Sequence, residues 1–336
     1  MPKAALFCSL VVLLSCGLGH AADAKALTIA VIPKGTTHEF WKSIHAGAVK
    51  AAREFGAAGQ PVKIIWKGPL KEDDRAQQID VVQGFVTQGV SAIVLAPLDS
   101  KALAQPVEQA VDQGIPVVVI DSGLESQKQA SFVATNNFAG GQLAGECLGA
   151  ALAGSGRIAL LRYQVGSAST EQREAGFLDA MKKFPKIEII SSDQYTGATR
   201  ETALTASQNL LNRYKDKLTG VFTPNESSTA GMALALKEVG LTGGPAGEPR
   251  RIAHVGFDAS EPLIAALAAG DIRGLVVQDP FQMGYLGVKN AVAAATGRTV
   301  DKQVDTPLQL VTPENLAQPA IQALIKPPLD QYLDGK

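Results

Sequence analysis

From residue 27 onward, short apolar runs alternate with amphipathic stretches of about a dozen residues or more. The runs are "LTIAVI" (27–32), "VKIIWK" (62–67), "AIVLAP" (92–97), "PVVVID" (116–121) and "SFVAT" (131–135), with helical spacing over 39–56, 74–88 and 101–113 between them. Few polar residues interrupt the runs, as expected of strands covered on both faces. Such alternation predicts βαβ units and a parallel sheet. The pattern restarts after Thr135. A helix "FAGGQLAGECLGAALA" leads to strand "RIALLR" (157–162), a helix over 170–183 to "IEIISS" (187–192), and one over 200–213 to "LTGVFTP" (218–224). A helix over 227–239 then leads to "RIAHVGFD" (251–258), one over 260–269 to "IRGLVVQ" (272–278), and a last one covers 280–296. Two similar series in one chain predict an α/β protein of two doubly wound, Rossmann-like parallel-sheet lobes. The Pro-broken tail from 312 to 336 reads as a short helix and extended chain, packed or loose.

Ligands of doubly wound sheets bind beyond the carboxyl ends of the strands, so the residues that follow each strand are the candidates. Thr36, Thr37, His38, Glu39, Phe40 and Trp41 follow the first. Asp121 ends the fourth, and Arg173 closes the loop and first turns after "RIALLR". Asn225 and Glu226 follow "VFTP", Asp258 follows "AHVGF", and Gln278 and Asp279 follow "GLVV". Flat rings, carboxylates, a guanidinium and amides are the groups a monosaccharide needs. Its C–H faces lie on rings, and its hydroxyls both donate and accept, with charged partners giving the stronger bonds. A wrong epimer leaves a buried group unpaired, at about 1–3 kcal/mol each. Trp41 is the expected stacking ring, with Phe40 shared between cleft and core. His38 reads equally as a helix cap, Glu39 as a helix-dipole acid, and Asp279 as a cap before Pro280. The acidic "EDDR" (72–75) reads as a solvated loop and helix start.

Length and composition narrow the class. The 336 residues suffice for two domains, and 46% hydrophobic and 19% charged residues are ordinary for a globular protein. A net charge of −1 gives no sign of a nucleic-acid partner. The start "MPKAALFCSLVVLLSCGLGHAADA" has a basic n-region, a short apolar run and a small-x-small site at "GHA", so residues 1–21 read as a secretory signal peptide. Two readings of it stand. Cleavage after Ala21 gives a soluble exported chain, whereas "LLSCG" resembles a lipoprotein site that would leave a lipid-anchored Cys16, despite the bulky Leu14 two residues before it. Past the leader only Cys147 remains, which excludes an internal disulfide and reads as a small buried apolar residue. "GSGR" (154–157) precedes a strand instead of opening a helix, and no phosphate loop, GxSxG elbow or HExxH is present. No metal, no cofactor and no enzymatic activity are expected.

Several stretches in order resemble the periplasmic ribose-binding protein family, the type I solute-binding proteins of bacterial ABC transporters. They are "IPKGTTHEFWKSIHAGAVKAA", "GVSAIVLAPLDSKAL", "GIPVVVIDS", "TNNFAGGQLAGE", "REAGF", "VFTPNESSTAGMALAL", "VGFDASE" and "VVQDPFQMG", spread over roughly residues 27–312. The resemblance implies ligand contacts at His38, Phe40, Trp41, Asp121, Ser122, Arg173, Asn225, Asp258 and Gln278. It implies a three-segment hinge near 134–137, 255–280 and 304–310, hence an N-terminal lobe of 27–135 plus 279–307, a C-terminal lobe of 136–278 plus 308–316, and a tail from 317. Two departures stand out. Ser122 occupies the place of an Arg common in ribose binders, and His38-Glu39 that of an Asn-Pro pair. With Arg173 the one fixed cation among these residues, a sugar phosphate is not expected.

The expected function is that of an exported, periplasmic and monomeric solute-binding protein. It captures a neutral monosaccharide or polyol by hinge closure and delivers it to a membrane permease. The alternatives are a sugar sensor for a chemoreceptor or sensor kinase, and a periplasmic sugar-modifying enzyme using Asp121 and Asp258 as acid and base. A sugar-responsive transcription regulator of this fold would need a DNA-binding helix-turn-helix where the leader stands.

Overall fold

The computed structural model describes residues 25–242 and 251–333. The expected leader, with its candidate cleavage and lipidation sites, lies outside the described residues. The strands and helices of the first half are β1 (Leu27–Ile32), α1 (Glu39–Ala57), β2 (Val62–Trp66), α2 (Arg75–Gln88), β3 (Ala92–Leu95), α3 (Ala104–Asp112), β4 (Val117–Ile120) and β5 (Ser131–Ala134). The series resumes with α4 (Asn137–Ala151), β6 (Ser155–Arg162), α5 (Ala168–Met181), β7 (Lys186–Tyr195), α6 (Arg200–Tyr214), β8 (Gly220–Phe222) and α7 (Glu226–Glu238). It continues through β9 (Ala253–Phe257), α8 (Glu261–Ala268), β10 (Gly274–Gln278) and α9 (Pro280–Ala295). It ends with β11 (Gln303–Asp305), β12 (Leu308–Val311), α10 (Pro319–Ile325) and α11 (Leu329–Tyr332).

Two six-stranded sheets result, ordered β11-β5-β4-β3-β1-β2 and β12-β10-β9-β8-β6-β7. Every pairing is parallel except β10 with β12. The central strands β3 and β4 are wholly buried, which explains why they read as unbroken apolar runs. Each sheet carries apolar packing on both faces. Ile29, Val31, Val94 and Ile120 meet α1 and α9 on one face of the first sheet, and Ala30, Ile32, Ile93 and Val119 meet α2 and α3 on the other. In the second lobe Leu160, Phe222 and Val255 face α4 and α5, while Ala159, Leu161 and Val221 face α6 and α7.

The strands not expected from sequence are β11 and β12. "QVD" is short and polar because it is an edge strand beside β5, and β12 is the antiparallel edge of the other sheet. The chain crosses between lobes after β5, after β10 and between β11 and β12, and Thr135 and Thr306 Oγ1 atoms meet at 3.2 Å where two crossings run side by side. The tail is packed. Ile321 of α10 joins the second lobe's core, and α11 returns to the first lobe, where Arg53 Nη1 donates to the Gln331 carbonyl at 2.7 Å.

Helix pairs in both lobes approach through glycine. A methyl group added at Gly47 of α1 would run into the Phe281 carbonyl of α9, and one at Gly141 of α4 into the Arg173 carbonyl of α5. The second contact fixes how deep α5, and with it Arg173, sits. Gly141→Ala should therefore cost about 1–3 kcal/mol in chemical denaturation. Gly84→Ala, in a helical position with open space around its Cα, should instead gain roughly 0.5–1 kcal/mol. A neutral Gly141→Ala would show that the helix contact is slack.

Candidate functional site

The carboxyl ends of both sheets face each other across a narrow cleft. Lys34, His38, Phe40 and Trp41 enter it from the β1–α1 joint, Glu72 from the loop after β2, and Asp121 from the end of β4. The second lobe supplies Tyr163 after β6, Ser169, Thr170 and Arg173 from α5, Asn225 and Glu226 at the β8–α7 joint, Asp258 after β9 and Gln278 at the end of β10.

Two aspartates hold equivalent places in the two lobes. Asp121 follows β4 with φ 62° and Asp258 follows β9 with φ 70°. The left-handed region is uncommon for a residue with a Cβ, though Asp tolerates it better than most, and such strain tends to collect at functional positions. The turn lifts each carboxylate into the cleft. Asp121 Oδ2 lies 2.9 Å from Lys34 Nζ, at ion-pair distance but not in hydrogen-bond alignment. Asp258 accepts from Gln278 Nε2 at 2.6 Å and from the Glu226 amide at 3.1 Å, with Arg173 Nη1 at 3.8 Å.

Arg173 is 2% exposed. Its Nε donates to Asn137 Oδ1 at 2.8 Å and its Nη1 to the Pro224 carbonyl at 2.9 Å, while its guanidinium lies 3.9 Å over the Phe257 ring. Asn137 also donates to the Thr135 carbonyl, which ties the guanidinium to an inter-lobe crossing. Arg173 Nη2 and Gln278 Oε1, both buried, make no hydrogen bond with any described residue. The cleft therefore holds a donor and acceptors with nothing in the protein to saturate them.

Glu72 behaves differently. Its Oε1 accepts from Trp41 Nε1 at 2.6 Å and lies 2.8 Å from His38 Nδ1. Its Oε2 accepts from the Tyr163 hydroxyl at 2.6 Å, and its main-chain carbonyl from Gln164 Nε2 at 3.1 Å. Other bonds also cross between lobes. Lys34 Nζ donates to Ser169 Oγ at 3.2 Å, the Ser169 amide to Ser122 Oγ at 3.1 Å, and the Ser100 amide to the Gly166 carbonyl at 2.9 Å.

Two of the buried carboxylates, Glu72 and Asp258, titrate in opposite directions. Burial would raise Glu72, but hydrogen bonds from His38, Tyr163 and Trp41 and the imidazolium charge bring it down to about 2. Burial opposes the His38 cation too, and Glu72 outweighs it, so His38 is raised. Burial also dominates at Asp258, which rises to about 6 against the pull of Arg173 and Gln278. Burial likewise pushes the Cys147 thiol up to about 11, so it does not offer a thiolate near neutral pH.

The structure brings His38, Phe40, Trp41, Asp121, Arg173, Asn225, Asp258 and Gln278 around one cavity. Ser122 does not line it, because its hydroxyl is turned to the Ser169 amide. His38 stands at the helix N-cap position but makes no cap bond, Glu72 having claimed the ring. The Trp41 indole is fixed edge-on to Phe40, with ring centres 5.0 Å apart. Asn225 spends its carbonyl on the α7 cap, accepting from Ser228. Asp279 caps α9 as expected, accepting from the Gln282 amide.

Lys34, Tyr163 and Glu72 escaped the sequence, as did Ser169 and Thr170 on the first turn of α5. Lys34 follows β1 directly, so the strand-end rule reaches it, and it makes a second fixed cation beside Arg173. Tyr163 follows β6 in the same way. Glu72 is the correction: expected in a solvated loop, it is 6% exposed, because partners from both lobes enclose it. Among the described residues no group of His, Cys, Asp and Glu forms a metal cluster, and no helix is long and apolar enough to cross a membrane.

Comparisons with known proteins agree with this fold. A family model for the periplasmic binding protein domain matches residues 29–299. The ribose import binding protein of Bacillus subtilis (strain 168) is 28% identical over 87% of this chain and 90% of its own. A carbohydrate transporter solute-binding protein from Agrobacterium radiobacter, solved with D-arabinose, is 35% identical with a TM-score of 0.83, covering 90% of this chain and 99% of its own. An ABC transporter solute-binding protein from Agrobacterium vitis, solved with D-fucose, is 31% identical with a TM-score of 0.82, covering 89% of this chain and all of its own (100%).

The raised Asp258 carries a pH signature. The native chain holds this proton more tightly than the unfolded chain, so it contributes stability that is full below about pH 4 and lost as pH rises through about 6. Asp258→Asn mimics the protonated form and tolerates the left-handed turn. At pH 7 it should stabilise the unliganded protein by up to about 3 kcal/mol, since each tenfold rise in proton affinity is worth about 1.4 kcal/mol. The gain should shrink toward pH 4. Denaturation at both pH values checks this; a gain independent of pH would exclude the Asp258 titration as its source.

Proposed function

The chain belongs to the periplasmic binding protein family, and from that premise we propose that it captures a neutral monosaccharide or polyol between its lobes and passes it to the permease of an ABC transporter. Membership implies a periplasmic location, and the chain is a binding protein, not an enzyme. The observation that carries the reading is the set of cavity atoms with no hydrogen-bond partner in the protein: Arg173 Nη2, Gln278 Oε1 and Asp121 Oδ2. A hydroxyl donates and accepts at once, so adjacent sugar hydroxyls satisfy such a mixed set. Leaving Arg173 Nη2 and Gln278 Oε1 buried and unpaired costs on the order of 1–3 kcal/mol each, and a ligand that relieves this binds the closed arrangement in preference to the open one.

Charge supports a neutral ligand. Lys34 faces Asp121, His38 faces Glu72, Arg173 faces Asp258 and Arg200 pairs with Glu226, so each acid has a cation of its own. A carboxylate or phosphate on the ligand would enter a site already balanced. Closure about the crossings, monomeric action and hand-over to the permease follow from the same reading, and the sugars bound by the Agrobacterium proteins are neutral.

A thermal-shift screen of the mature protein against pentoses, hexoses, deoxysugars, polyols, aldonates and sugar phosphates tests the reading. At least one neutral compound should raise the melting temperature, since ligand at a hundred times Kd adds about 2.7 kcal/mol. Arg173→Lys should weaken that ligand at least about tenfold, because one planar donor set cannot be replaced by a point charge. The sugar's hydroxyls donate to ionised Asp258, so affinity should fall as pH drops below about 6. No shift with any neutral compound, or tighter binding of a charged one, would overturn the proposal.

A further inference from the structure

We propose that Glu72 is a positioning residue that joins the two lobes: it holds His38 and Trp41 in place in the first lobe and, through the Tyr163 hydroxyl, fastens the second lobe over the ligand. The ligand here rests on the sugar-binding reading, whereas the joint itself is made of protein atoms.

The polar groups of the cleft fall into two classes. Arg173, Gln278 and Asp121 each keep an atom without a hydrogen bond. Both carboxylate oxygens of Glu72 are engaged, Oε1 by Trp41 and His38 and Oε2 by Tyr163. Glu72 therefore has little to offer a sugar directly, although it lines the cavity. Its influence passes through the ring and the indole that it orients.

The lobe assignment gives the joint its meaning. Glu72 lies between β2 and α2 of the first lobe, and Tyr163 and Gln164 follow β6 of the second. Opening the cleft breaks the bond from Tyr163 at 2.6 Å and the bond from Gln164 to the Glu72 carbonyl at 3.1 Å. Tyr163 is 1% exposed and Glu72 6%, so the joint is dry and its charge-assisted bond is not weakened by competing water. A contact present in the closed form and absent from the open one raises the closed fraction before any ligand arrives. Apparent affinity scales with that fraction.

Tyr163→Phe removes one oxygen and leaves the Glu72–His38–Trp41 cluster in place. Small-angle scattering of the ligand-free variant should give a larger radius of gyration than the native chain. For the sugar found in the screen, stopped-flow measurement should show release about tenfold faster and association within about twofold of native. Glu72→Gln keeps the shape and removes the charged acceptor, so Tyr163→Phe should have little further effect in that background. An unchanged radius of gyration overturns the joint. So does a Tyr163→Phe loss as large in the Glu72→Gln background as in the native one, because Tyr163 would then act on the sugar itself. If no sugar binds the native chain, the sugar reading fails, and the scattering comparison still decides the joint.

Discussion

Bringing two lobes together over a small polar molecule strips water from every charge between them, and the cleft is organised around that constraint. A buried ion is costly unless a partner and further hydrogen bonds replace its hydration. Here the replacement is supplied pair by pair: Lys34 to Asp121, His38 to Glu72, Arg173 to Asp258 and Arg200 to Glu226. The scaffold exists to hold those pairs in register. Strand ends deliver the aspartates, and the close glycine contact between α4 and α5 sets the depth of Arg173. Asn137 connects that guanidinium to the crossing at Thr135, so the deepest cation of the second lobe is anchored to the segment about which the lobes would move.

Within this neutral arrangement two buried acids do different work. Glu72 is saturated by protein donors and sits far on the ionised side, at about 2. Asp258 is less well served and is driven up to about 6. The first stabilises the joined lobes. The second is destabilising when ionised, and the remedy is a donor from outside the protein. Its left-handed backbone, matched by that of Asp121, points the same way: both lobes hold strain at the residue that meets the cleft. On the proposed reading stability and affinity would thus be opposed at Asp258, a common pattern where a site is built for a partner it lacks when empty.

Much of this was legible in the sequence because burial on both faces leaves a plain signature. The runs "AIVL" and "VVVI" have no polar position to confuse their reading, and the rule that ligands lie past strand ends then selects Asp121, Asn225, Asp258 and Gln278 without any knowledge of packing. What escapes depends on distant pairing. Glu72 and Tyr163 are 91 residues apart, and nothing local in "KEDDR" distinguishes an acid bound to a tyrosine from one in water. Lys34 escapes because a lysine after a strand is usually solvated, and its burial comes from Asp121 and Ser169 in two other segments. The edge strands β11 and β12 are invisible for the opposite reason: half exposed and short, they lack the apolar run that marks a central strand.

The same balance of charge sets how the site can discriminate. On the proposed reading, stacking on Phe40 and Trp41 would be tolerant, since any pyranose or furanose offers a C–H face. The polar set is not tolerant, because Arg173 and Gln278 are fixed by Asn137, Pro224 and Asp258 and cannot turn to follow a misplaced hydroxyl. An epimer that fails to meet one of them leaves that group buried and unpaired, a loss of about 1–3 kcal/mol, or roughly five- to more than a hundredfold in affinity. His38 is held in the same manner on the other wall by Glu72. Selectivity in this cleft would therefore come from rigidity that the ligand does not provide: the protein fixes its own donors and acceptors first, and a sugar would have to match what remains.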